Sequence, residues 1–215
     1  LIISPALAQI CALPELRMAI NKYSELDHSL FLSYIRRDED PDRFRRAFWN
    51  VNSFGKQLSA RFSHEFCASN HLAEPLSKRK SQPKYRANKH IYKIAFVFKG
   101  GFSLAHSEFL HEFLRGARIF ASKVQITLIL LDDDGLRLRN TGVEHIEIIS
   151  FRQSDTYDKL EKYYKFFLSQ EFDHISWVAC VQNLCLFMGQ RLSSSQSYWS
   201  MKYHSIIMNS LDKYA

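Results

Sequence analysis

The chain contains 215 residues, of which 46% are hydrophobic and 14% aromatic, so it can bury a core and is not disordered as a whole. Its 7 Gly and 5 Pro are few, which disfavours a turn-rich β-sandwich and favours an α/β architecture. Seven of the 29 Lys and Arg lie in one short segment, and the other 22 equal the 22 Asp and Glu. The net charge of +7 therefore does not predict a nucleic-acid-binding face spread over the fold.

The four cysteines, Cys11, Cys67, Cys180 and Cys185, include no C-x-x-C pair and no complete set of zinc ligands. Free thiols in a reducing compartment are the simpler interpretation, and no metal is expected. No apolar run approaches the ~20 residues that a membrane span needs, and the first residues lack the basic start of a signal peptide. We therefore predict a cytoplasmic protein, and a chain that starts without Met is expected to be a piece of a longer one.

Residues 1–72 form a predicted helical region. Apolar residues recur at helical spacing, first at Leu13, Leu16, Ile20 and Tyr23 and later from Phe44 to Phe66. The charged cluster before Pro41 predicts a break followed by a new helix. The aromatic stripe of this region is expected to be core rather than a ligand site.

Residues 73–90 form a predicted basic linker. Six of the seven clustered basic residues lie in it, and the seventh comes shortly after it: Lys78, Arg79, Lys80, Lys84, Arg86 and Lys89, followed by Lys93. Two interpretations stay open: a solvated connector, or a contact with phosphates or an anionic membrane surface through Lys78 to Lys93. A nucleic-acid platform is not expected, because the segment lacks interleaved aromatic residues.

Residues 91–215 form a predicted Rossmann-like domain. Apolar runs at residues 91–98, 124–131, 143–151, 175–180 and 195–199 predict strands, and helical patterns at 104–119, 154–172 and 184–191 lie between them. Asp155, with Asp158 three residues later, predicts the start of the second of these helices. Such alternation predicts a parallel sheet with right-handed crossovers, whose ligands bind at the carboxyl ends of the strands.

A Gly-Gly pair follows the first strand of this domain. Gly100 and Gly101 would let the backbone approach an anion such as a diphosphate at the start of the next helix. The full dinucleotide-binding pattern is absent, because Ser103 and His106 stand where its later glycines would be. A phosphate-binding turn and a merely tight turn are both compatible with the sequence.

Three further groups of residues follow the strand ends. His106 lies early in the helix after the glycine pair, where it could act as a general base or simply lie at the surface. The Asp132–Gly135 turn could bind a ribose hydroxyl or be solvated, with the solvated turn favoured. Hydroxyl, aromatic and basic side chains follow the fifth strand, and Tyr198, Trp199, Lys202 and His204 are candidate contacts for sugar or phosphate.

The segment Lys93-Ile-Ala-Phe-Val-Phe-Lys-Gly-Gly-Phe-Ser-Leu-Ala-His106 and the segment from Tyr198 to His204 resemble the first Rossmann domain of GT-B glycosyltransferases, and most closely bacterial protein or adhesin glycosyltransferases and group 1 enzymes. The resemblance implies transfer from a nucleotide-sugar to a protein or glycan acceptor without an obligatory metal or other cofactor. It implies that Gly100 and Gly101 lie near the donor phosphates and His204 near the transferred sugar. With the residue types considered above, we predict His106 and His204 as catalytic residues, Lys202 as a donor-phosphate contact, and Tyr198 and Trp199 as acceptor contacts.

The second Rossmann domain of such enzymes, with its paired glutamates, is missing from the sequence. The chain is therefore expected to be the acceptor-side part of an enzyme and to need a C-terminal partner domain. The alternative hypothesis is a non-catalytic module that binds a protein partner or an anionic surface through its basic segment.

Overall fold

The computed structural model describes residues 3–36, 40–72, 91–98, 105–120, 122–132, 146–151, 155–178, 184–199 and 213–214. The chain forms two compact units. The helical unit consists of Leu1–Pro75, Asp155–Glu161 and Val181–Gln190, and the sheet unit of Leu76–Ser154, Lys162–Cys180 and Arg191–Ala215. The helical unit thus also draws two segments from the part of the sequence that we assigned to the Rossmann-like domain.

Three helices dominate the helical unit: α1 (Ile3–Cys11), α2 (Leu16–Arg36) and α3 (Pro41–Ser69). The predicted break before Pro41 is confirmed, and α3 begins there because the Asp40 side chain accepts a hydrogen bond from the backbone N of Asp42. Ile20, Tyr23 and Phe62 are among the fully buried side chains of this unit. None of the described helices is long and apolar enough to cross a membrane.

The described residues of the sheet unit form six parallel strands. They are β1 (Tyr92–Phe98), β2 (Val124–Leu130), β3 (Glu147–Ser150), β4 (His174–Val178), β5 (Ser195–Trp199) and β6 (Lys213–Tyr214). Helix α4 (Ala105–Gly116) connects β1 to β2, α5 (Thr156–Ser169) lies between β3 and β4, and the short α6 (Leu184–Phe187) lies between β4 and β5. The strand order is β3-β2-β1-β4-β5-β6, the order of a Rossmann-type doubly wound sheet, so the predicted α/β fold is confirmed.

Successive side chains of each strand point to opposite faces of the sheet. On one face, Phe96, Phe98, Leu128 and Leu130 pack with Leu114 of α4, and we call this the α4 face. On the other face, Trp177 packs 5.8 Å from Tyr163 of α5, measured between ring centroids, and we call this the α5 face. β1 and β2 carry apolar residues on both faces, as expected of central strands in a covered parallel sheet.

Asp173 joins three strands at the amino edge of the sheet, directly before β4. Its backbone N donates to the carbonyl oxygen of Lys93 at 2.9 Å, and its carboxylate accepts from the backbone N of Lys93 at 2.9 Å. Its own carbonyl oxygen accepts from the Ser194 hydroxyl at 3.0 Å. One residue therefore aligns the starts of β1, β4 and β5.

Candidate functional site

Five strands end at one level along the carboxyl edge of the sheet. Phe98 at the end of β1 pairs with Leu130 of β2 and with Val178 of β4. Leu130 in turn pairs with Ser150 of β3, and Val178 pairs with Trp199 of β5. The direction of strand order reverses between β1 and β4, and in open α/β sheets ligands bind in the crevice at that point. This edge is the candidate site.

The predicted phosphate-binding and catalytic residues follow this row of strand ends. Gly100 and Gly101 come two and three residues after β1, and Lys202 and His204 come three and five residues after β5. These four residues lie outside the described part of the chain. His106 is the second residue of α4, and only its helical backbone is described.

Tyr198 lies in the core and not at an acceptor-binding surface. Its side chain is 1% exposed, and its register partner is the fully buried Trp177 of the α5 face. We expected an acceptor contact because a hydroxyl-rich segment is poor core material. The alternation of β5 instead turns Gln196 and Tyr198 inward, so that Tyr198 has no surface to offer a ligand.

Trp199 remains a candidate for ligand contact. It is half-buried at the end of β5, and it packs against the apolar cluster of the α4 face. Its ring meets the ring of Phe113 edge-on, with centroids 5.6 Å apart. Phe113 is 43% exposed and also packs edge-on against Phe96 at 5.4 Å. An accessible aromatic pair therefore flanks the row of strand ends.

A polar strip, which sequence reasoning missed, runs along the α4 face of β4 and β5. Nδ1 of His174 lies 2.9 Å from Oγ of Ser195, and Nε2 lies 2.9 Å from Oγ of Ser197. The hydroxyl of Ser197 also donates to that of Ser176 at 3.4 Å. A signal was present in β4, where the polar His174 and Ser176 alternate with Ile175 and Trp177, but not in β5, which begins with three consecutive polar residues.

The described residues offer no evident metal site. No group of three or more described His, Cys, Asp or Glu side chains could hold an ion together. His111 of α4 has a buried Nε2 without a hydrogen-bond partner among the described residues, while its Nδ1 lies 4.0 Å from the Glu112 carboxylate.

The helical unit contains a charged network at the start of α5. The Asp155 carboxylate accepts hydrogen bonds from the backbone N of Asp158 at 3.1 Å and from Nδ2 of Asn21 at 2.9 Å, which confirms the predicted helix start. Arg17 binds both Asp155 and Asp158, at 3.1 and 2.6 Å. Partial burial alone would raise the pKa of Asp155, but these hydrogen bonds and the Arg17 charge outweigh it and lower the pKa below its usual value of 3.8. We interpret this network as a structural cap.

The helical unit also buries a thiol. Cys185 of α6 is fully buried, and its Sγ donates to Oδ1 of Asn52 at 3.2 Å. Burial, together with the nearby negative charge of Asp27, raises the pKa of the thiol to about 12, although Lys56 acts in the opposite direction. A thiol in this state is a poor nucleophile, so Cys185 is a structural residue.

No known protein-family model matches the chain, and no curated protein is significantly similar to it.

Proposed function

We propose that this chain is the acceptor-side part of a GT-B glycosyltransferase that moves a sugar from a nucleotide-sugar to a protein or glycan acceptor. The observation that carries the proposal is the level row of strand ends from Ser150 to Trp199. Both candidate segments begin at this row: the one with Gly100 and Gly101 after β1, and the one with Lys202 and His204 after β5. The strand order, with its reversal beside β1, supports the same location.

The residue types in these segments suit such a reaction. Glycines before a helix leave backbone N–H groups open to the diphosphate of a donor, and the helix dipole favours its negative charge. In the transfer step, the acceptor hydroxyl oxygen bonds to the anomeric carbon while the bond from that carbon to the phosphate oxygen breaks. His106, early in α4, would take the hydroxyl proton, and the nucleoside diphosphate would leave.

The test uses the longest chain that the coding region encodes. We expect isothermal titration calorimetry to detect binding of at least one nucleotide-sugar from a panel of uridine, guanosine and adenosine diphosphate sugars. Gly101→Val should weaken that binding, because a branched side chain would fill the space beside the phosphates. Absence of binding by every donor in the panel would refute the proposal and favour the binding-module hypothesis.

A second measurement separates chemistry from binding. His106→Ala should keep donor binding but lower the rate of sugar transfer by about a hundredfold or more, the usual effect of removing a general base. His64→Ala is the matched control, because His64 lies exposed on α3. Equal transfer rates for both variants would remove His106 from the catalytic role.

A further inference from the structure

The polar strip occupies an unusual position in a parallel sheet. β4 lies between β1 and β5, and β5 lies between β4 and the two-residue β6, which pairs with Ser197 and Tyr198. Strands of parallel sheets are normally apolar on both faces, because helices cover both. On the α5 face, β4 follows this rule with the fully buried Ile175 and Trp177, and β5 places the buried Tyr198 there together with a buried Gln196. On the α4 face they instead carry His174, Ser195 and Ser197, all half-buried.

The hydrogen bonds of the strip leave its hydroxyls able to bind a ligand. A neutral imidazole has one donor and one acceptor nitrogen, so one of Ser195 and Ser197 donates to His174 and the other accepts from it. A serine hydroxyl offers one donor and two acceptor sites, so each serine keeps hydrogen-bonding capacity beyond this contact.

The aromatic pair stands at one end of the same strip. Trp199 follows Ser197 by two residues on β5, so the two side chains point to the same face of the sheet. Phe113 of α4 meets Trp199 edge-on and remains 43% exposed. The Ser197 hydroxyl therefore lies close to a partly exposed aromatic surface.

We propose that Phe113, Trp199 and Ser197 bind a sugar ring, which makes the Trp199 end of the strip the site of a glycan acceptor, while His174, whose two ring nitrogens are bonded to Ser195 and Ser197, orders these hydroxyls. A sugar ring presents C–H groups on its faces and hydroxyls at its rim, so it matches an aromatic surface bordered by hydrogen-bonding side chains. This inference rests on the proposed function and specifies its acceptor as a glycan.

Saturation-transfer NMR on the full chain tests the proposal with methyl β-glucoside, methyl β-galactoside and N-acetylglucosamine as probes, in the absence of any nucleotide. We expect transfer to at least one probe. Phe113→Ala should weaken its binding by about fivefold or more, the effect of losing one aromatic contact. Ser197→Ala should also weaken it and provides a second test should Phe113→Ala not fold.

Ile119→Ala is the matched control, because Ile119 is an 81% exposed apolar residue of the same unit and should not change binding. Absence of transfer to all three probes would overturn the proposal. Equal binding of a probe by Phe113→Ala, Ser197→Ala and Ile119→Ala would overturn it as well. Nucleotide-sugar binding without neutral-sugar binding would refute only the acceptor site. Neutral-sugar binding without nucleotide-sugar binding would uphold the strip and refute the transferase.

Discussion

Gly55 of α3 allows Tyr23 to pack directly against the helix backbone, and Gly55→Ala should destabilise the helical unit. A Cβ at this position would lie 2.7 Å from Cζ of Tyr23, closer still to its hydroxyl oxygen, and 3.1 Å from Cβ of Cys185. Tyr23 is 1% exposed and has no room to withdraw. Overpacking of a core costs about 1–3 kcal/mol, and the better helix propensity of Ala offsets up to about 1 kcal/mol. We expect a net loss of about 1–2 kcal/mol in the free energy of unfolding.

Urea denaturation followed by far-ultraviolet circular dichroism measures this loss, and hydrogen exchange of the α3 amides assigns it to the helical unit. Gly116→Ala is the control, because no heavy atom lies within 4 Å of a Cβ at Gly116. Its stability should stay within about 0.5 kcal/mol of the parent. The double variant Gly55→Ala with Tyr23→Phe should lose less than the sum of the two single changes, because the closest contact is gone. A Gly55→Ala protein as stable as the parent would refute the packing argument.

Two other predictions concern titratable groups. Because Asp155 has a lowered pKa in the folded state, its stabilising effect exists at neutral pH and disappears as the pH falls through that pKa, below 3.8. In urea titrations, Asp155→Ala should therefore have a free energy of unfolding about 1 kcal/mol lower than the parent at pH 7, and this difference should close below pH 3.8. Asp155→Asn should keep much of the cap. A stability difference that does not change with pH would contradict this prediction. N-ethylmaleimide should modify the exposed Cys11 of the native protein but reach Cys185 only after denaturation, because burial raises the Cys185 pKa to about 12. Equal rates for the two thiols by mass spectrometry would show that the buried state opens readily.

The helices and strands of this fold were predictable from the sequence where they depend on residues close together in the chain. The apolar runs of β1 and β2 and the Asp155 start of α5 are visible in the sequence, because they depend on residues a few positions apart. The alternation of strands and helices then predicted the parallel sheet. β6, with two residues, is too short to have a periodicity, and we did not predict it.

The parts that sequence reasoning missed depend on distant partners. Asn52 meets Cys185 across 133 positions of the chain, and no periodicity reports such a contact. The two faces of β5 also look similar in the sequence, since each carries polar and aromatic residues. Only packing on the α5 face decides that Tyr198 is buried and Trp199 is not. The location of the candidate site was therefore predictable, because its residues follow the strand ends. The polar strip was not predicted from the sequence.

The contacts that Asp173 makes at the amino edge decide which side chains of β5 lie beside α4. Side chains alternate with a period of two, so a shift of β5 by a single position relative to β4 would exchange its two faces. Gln196 and Tyr198 would then replace Ser195, Ser197 and Trp199 beside α4, and the imidazole of His174 would lose both serine partners. Evolution of a new ligand preference at this sheet can thus proceed by substitution along the strip, but an insertion near Asp173 would erase the strip altogether.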